Sequence, residues 1–120
     1  MKKIKKIFVL LIATATLASC SMTKTLYDWK GYDKAAFDYT KQSSEESLVF
    51  LIGIYEKLID APKGTRKVPA PGICADYGYL LIMNGEIEKG KELLVKETTI
   101  YPESKIFIDR IIKRFENDEK

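Results

Sequence analysis

The sequence predicts an all-α domain of about five helices, and three observations carry that expectation. Apolar residues recur at spacings of three and four in several windows, prolines and glycines fall between those windows, and no segment sustains the period-two alternation of a half-buried strand. Residues 20–120 are enough for one small domain with a modest core.

The first helix, over 33–39, is short and offers Ala36, Phe37 and Tyr39 for packing. The second runs from Glu45 to Ile59, where Leu48, Leu51, Ile52, Tyr55, Leu58 and Ile59 form one apolar stripe, and Ser43 with Glu46 has the spacing of a capping box. Pro62 and Gly64 end it. The segment APKGTRKVPAPG at 61–72 reads as an exposed connection carrying the basic residues Lys63, Arg66 and Lys67. The third helix, Ile73 to Met83, is apolar almost all round and should be buried between neighbours. Asn84-Gly85 supplies a turn, and a fourth helix from Glu86 to Lys96 turns Ile87, Gly90, Leu93 and Leu94 inward. Pro102-Glu103-Ser104 stops the chain and caps a terminal amphipathic helix with Phe107, Ile108, Ile111, Ile112 and Phe115 on one side.

Residues 1–19 stand apart from this domain. Four lysines in the first six residues precede an apolar stretch from Ile7 to Ala18. That stretch is shorter than the roughly 20 residues a resident membrane helix needs, and the order of charge and apolarity is that of an export signal. The tetrad Leu17-Ala18-Ser19-Cys20 resembles the lipobox of bacterial lipoproteins, with Ser19 where Gly or Ala is more usual. The resemblance implies cleavage before Cys20, a thioether-linked diacylglycerol on its sulfur and an acyl chain on its new amine. An ordinary secreted protein with a free Cys20 is the weaker reading. Ser21 is not the Asp that commonly holds lipoproteins at the inner membrane, so the resemblance implies the periplasmic face of the outer membrane. Residues 20–25 are then a lipidated tether and residues 26–120 the helical domain.

Removing the signal changes the charge argument. Of 20 basic residues, Lys2, Lys3, Lys5 and Lys6 leave, and the remaining 16 face 17 acidic ones for a net of −1. Such a balance does not by composition suggest basic partners, nucleic acid or anionic lipid. With Cys20 lipidated, Cys74 has no disulfide partner in the chain, and the apolar neighbours Ile73 and Ala75 favour a small buried hydrophobe over a reactive or intermolecular thiol. The chain has no histidine, which removes the commonest general base, nucleophile activator and transition-metal ligand. Carboxylate pairs such as Glu86 with Glu88, or Asp28 with Asp33, lie in first turns or loops, where solvent and the helix dipole are the ordinary explanation. The sequence therefore points to no catalytic residue, no metal site and no cofactor beyond the lipid on Cys20.

Residues 71–104 resemble one tetratricopeptide repeat, a helical hairpin unit. Gly78 falls at the position of close helix approach, Gly85 at the turn, Leu94 at the large apolar position of the second helix and Pro102 at the terminal proline. Cys74 replaces an aromatic residue, Gly90 an Ala, and Glu97 a small residue. In this register Ala75, Tyr79, Ile82 and Met83 face the concave side and form a partner-binding strip, while Tyr77 and Leu81 point into the hairpin. The strip is either open to a partner or covered by the chain's own early helix with Trp29 and Tyr32. The stretches LYDWKGY at 26–32, PGICADYGYLLIMNGEIEKGKELLVKE at 71–97 and YPES at 101–104 resemble the bacterial lipoprotein family known as domain of unknown function 4810. That resemblance implies an outer-membrane lipoprotein encoded beside another envelope lipoprotein similar to the curli secretion pore subunit, and no activity follows from it. The leading expectation is a non-catalytic scaffold or assembly subunit of such a lipoprotein complex. A periplasmic cell-wall or polysaccharide binder or hydrolase is the alternative.

Overall fold

A computed structural model describes residues 1–8 and 24–118; the lipobox and Cys20 lie outside the described residues. Residues 2–8 are helical and exposed, and among the described residues every buried one lies between Ala35 and Ile108. Five α-helices follow the tether: α1 Tyr32–Gln42, α2 Glu45–Asp60, α3 Ile73–Met83, α4 Ile87–Ile100 and, after a 3-10 turn at Pro102–Ser104, α5 Lys105–Asp118. No strand occurs among the described residues, so the domain is all-α with the expected helix number.

Helices α1 and α2 form an antiparallel pair joined by two residues. The capping box lies one residue later than expected. Ser43 adopts φ 46° and closes α1, its N–H donating to the Tyr39 carbonyl at 2.8 Å. The extended conformation that an N-cap needs passes to Ser44, whose hydroxyl accepts from the Ser47 N–H at 3.2 Å while its own N–H donates to the Ser47 hydroxyl.

Helices α3 and α4 form the second pair, and glycines determine how closely they lie. A Cβ on Gly78 would stand 2.7 Å from the Gly90 carbonyl oxygen; one on Gly90 would stand 2.5 Å from the Gly78 carbonyl oxygen and 2.5 Å from Ile82 Cγ1. The two backbones therefore touch where the repeat resemblance expected a close approach.

One core joins α1, α2 and α3 through Ala35, Leu51, Ile54, Leu58, Ile73, Cys74 and Leu81. A second joins α3, α4 and α5 through Ile82, Leu94 and Ile108, with Ile111, Ile112 and Phe115 packed against it. Phe107 does not belong to that stripe and is 64% exposed. At 100° per residue it sits one position off the line of residues 108, 111, 112 and 115, and that offset takes it to the helix flank.

The 61–72 connection is not exposed throughout. Pro69 and Ala70 are buried, the Tyr101 hydroxyl donates to the Pro69 carbonyl at 2.6 Å, and the Gly72 N–H donates to Glu97 Oε1 at 2.7 Å. Upstream, Thr65 and Arg66 donate their N–H groups to the carbonyls of Thr25 and Leu26 at 3.1 and 3.2 Å. A Cβ on Gly64 would lie 2.6 Å from the Leu26 oxygen, so only glycine lets the loop rest on the tether there.

Two glycine substitutions should act with opposite sign. Gly90→Ala forces α3 and α4 apart and should destabilise by about 1–3 kcal/mol, the usual cost of overpacking. Gly53→Ala, in α2 with nothing within 4 Å of the added methyl, should stabilise by about 0.5–1 kcal/mol through helix propensity alone. Urea unfolding followed by circular dichroism reads both, and equal shifts in one direction would refute the contact.

Candidate partner-binding groove

An open cavity of about 410 Å³ lies between α1 and α3. Both helices begin at the end of the domain formed by the tether and the 61–72 connection, so they run parallel and wall a groove whose floor is Leu51 and Tyr55 of α2. Tyr32, Ala36, Tyr39 and Thr40 come from α1, and Asp76, Tyr79, Leu80 and Met83 from α3. Its lining is aromatic and apolar apart from Thr40 and Asp76, and Asp76 accepts a 2.6 Å hydrogen bond from the Tyr32 hydroxyl across the groove mouth.

The sequence-predicted strip divides on inspection. Tyr79 and Met83 stand in the groove, 47% and 62% exposed. The Tyr79 ring also tilts against Phe115 of α5 at 5.6 Å between centroids. Ala75 is half-buried and packs toward α5 with the second core. Ile82 does not face the groove: it is 7% exposed and part of that core, drawn into the gap that Gly90 leaves without a side chain. Tyr77 and Leu81 are buried as expected. Helix α1 walls the strip on one side: Tyr32 donates to Asp76 near the start of α3, and the cavity between the two helices stays open beside Tyr79 and Met83.

The residues that sequence reasoning did not bring to the groove are Ala36, Tyr39, Thr40, Leu51, Tyr55, Asp76 and Leu80. The tyrosines of α1 and α2 were visible as packing residues, yet the partner helix they face depends on hairpin stacking, which periodicity does not specify. A ladder of rings continues from the groove into the core: Trp29 to Tyr32 at 6.1 Å, Tyr32 to Tyr55 at 5.5 Å, and Tyr55 stacked on Tyr77 at 5.1 Å and 10°. Such pairs contribute about 0.5–1.5 kcal/mol each beyond area burial.

A second cavity of about 310 Å³ opens on the opposite side, where Glu56, Asp60 and Glu92 meet Lys89, Lys96 and the Tyr77 ring. Tyr77 donates its hydroxyl hydrogen to Glu56 at 3.3 Å, and Lys89 Nζ sits 5.9 Å above the Tyr77 ring. All three carboxylates are on exposed residues. Glu86, Glu88 and Asp33 are likewise exposed, while Asp28 pairs with Lys30. Among the described residues no three His, Cys, Asp or Glu side chains gather as a metal site, and no described helix is long and apolar enough to cross a membrane.

Cys74 is fully buried, and burial followed by the nearby Glu97 carboxylate pushes its thiol up to about 11. Burial, then the Asp76 hydrogen bond, raises the Tyr32 phenol to about 12. Burial, then the Glu56 carboxylate, does the same for Tyr77, and burial raises Tyr55 and Tyr101 as well. Each folded acid holds its proton more tightly than the unfolded one, so this stability is complete below the unfolded values and is lost as pH rises through the folded ones. Unfolding stability should therefore fall from about pH 9 upward, first through Cys74 and then through the tyrosines. At about pH 10.5 the native chain should show less tyrosinate absorbance at 295 nm than the chain in urea; coincident titrations would contradict the burial. Cys74 should also resist a thiol reagent at neutral pH until denaturant is added.

The family profile described as Domain of unknown function (DUF4810) matches residues 26–111. No curated protein and no solved structure matches the chain. The matched span holds the groove, both hairpins, the Leu26–Arg66 bond between the chain's start and the connection, and the start of α5, and the chain therefore belongs to the DUF4810 family.

Proposed function

We propose that the protein is a lipid-anchored, non-catalytic scaffold or assembly subunit of an outer-membrane lipoprotein complex, and that it holds a helix or extended segment of another envelope lipoprotein in the groove between α1 and α3. The carrying observation is that groove: two large apolar side chains, Tyr79 and Met83, stay about half exposed beside a 410 Å³ aromatic-lined cavity. Apolar clefts between parallel helices are where helical and extended peptides lay their anchor side chains. The lipid on Cys20 and the outer-membrane placement come from the lipobox resemblance, and the pairing with a lipoprotein similar to the curli secretion subunit from the family resemblance.

A cell-wall or polysaccharide binder or hydrolase would use the other cavity, where carboxylates and the Tyr77 ring converge. The exposure of Glu56, Asp60 and Glu92 favours the groove reading, because an acid–base pair for glycoside hydrolysis needs one carboxyl withdrawn from water.

Met83→Glu is the cleaner probe of the groove. Its side chain is exposed, so stability should change by less than about 0.5 kcal/mol. Tyr79→Ala also loses the Phe115 contact, costing about 0.5–1.5 kcal/mol beyond area burial. A photoreactive residue at position 83 in cells should crosslink to another envelope lipoprotein, and Met83→Glu should cut co-purification of that protein about tenfold or more with unchanged helicity. Crosslinks confined to the chain itself would overturn the reading. Binding of envelope glycan lost on Glu56→Gln and Glu92→Gln would establish the alternative.

A further inference from the structure

We infer that the end of the domain built from the tether and the first half of the 61–72 connection is an anionic-phospholipid contact surface, with Lys24, Lys63, Arg66 and Lys67 facing the headgroups. Two independent observations meet here. The first is charge. All four residues are exposed, and none has an ion-pair partner among the described residues. Of the acids nearby, Asp28 pairs with Lys30 and Glu97 is buried on the Gly72 N–H, while Asp60 and Glu103 have no ion-pair partner among the described residues. The second is the clasp. The N–H donations from Thr65 and Arg66 to Thr25 and Leu26 fix the basic loop to the segment that leads directly to Cys20. Gly64 at φ 90° and Lys67 at φ 52° shape the loop there, and Lys24, Thr25, Gly64, Thr65 and Lys67 border one open notch. Four residues lie between Cys20 and Thr25, five steps of chain with a reach of about 17 Å at most. A processed chain of net charge −1 thus presents four exposed cations where the anchor leaves the domain.

The orientation in the cell rests on the lipid-anchor reading, whereas the affinity for anionic lipid does not. The test uses the processed chain from residue 20 with Cys20→Ser, which retains every buried residue, floated with vesicles of phosphatidylcholine alone or with a one-third share of phosphatidylglycerol at low salt. Partitioning should favour the anionic vesicles and fall with salt, each cation contributing roughly fivefold. Lys63→Ser, Arg66→Ser and Lys67→Ser together should reduce it by more than about tenfold. Lys89→Ser, Lys91→Ser and Lys113→Ser, which remove equal charge elsewhere, should leave it within about twofold. Equal partitioning to both vesicle types, or an equal loss in the control, would overturn the inference. A native protein without acyl mass on Cys20 would overturn the anchor reading alone, because the flotation arm carries no lipid.

Discussion

The arrangement depends on the contact between the Gly78 and Gly90 backbones. Because neither residue carries a side chain, α3 and α4 approach until each carbonyl occupies the place of the other residue's Cβ. Leu93 and Leu94 then close over Gly78, and Ile82 enters the space beside Gly90. The rotation of α3 that makes this possible turns Cys74, Tyr77 and Leu81 toward α2 and leaves Tyr79 and Met83 outside. Core and groove are thus two faces of one packing decision. An Ala at position 90 would gain helix propensity of about 1 kcal/mol and still lose, since the obstructing atoms include a backbone carbonyl that cannot swing aside.

A second constraint works at the ends of the helices. A twelve-residue stretch rich in proline and glycine would ordinarily cost entropy and contribute little, but this one is fastened at Leu26, Glu97 and Tyr101. Glu97 is 2% exposed, and its Oε2 has no hydrogen-bond partner among the described residues. An unpaired buried acceptor costs about 1–3 kcal/mol. Its other oxygen receives the Gly72 N–H at the start of α3, where the helix dipole favours negative charge by about 0.3–2 kcal/mol. The departure from a small residue at position 97 therefore exchanges close helix packing for an anchor on the connection.

The helices themselves were legible in the sequence because each carries its own periodicity and punctuation; α3 falls on Ile73–Met83 as expected, and the terminal proline and the Gly85 turn mark their boundaries. Helix α4 runs a turn beyond Lys96, to Ile100, because Glu97 and Ile100 find tertiary partners that local propensity does not reveal. The shift of the capping box from Ser43 to Ser44 has a similar origin: adjacent serines satisfy one local rule, and the need to close α1 decides between them. For the groove, the repeat register located Tyr79 and Met83 but misassigned Ile82, since a family pattern built around Ala at position 90 does not anticipate the space that Gly90 opens. The clasp between Leu26 and Arg66 was invisible because it joins backbone groups forty residues apart.

Clasp and groove constrain each other. Since α1 and α3 both start at the tether end, the groove runs outward from that end for the length of its walls, about 16 Å for eleven residues. With the tether end against a membrane, the Tyr32–Asp76 hydrogen bond lies nearest the headgroups and Met83 farthest from them. A segment seated there would be held within about two nanometres of the surface, a height set by helix length. A freely diffusing periplasmic protein has little advantage at that height, whereas a partner tethered in the same leaflet meets the groove at high effective concentration. Under the proposed anchoring, the geometry that fixes the loop to the tether would also favour a second membrane-bound protein as occupant of the groove.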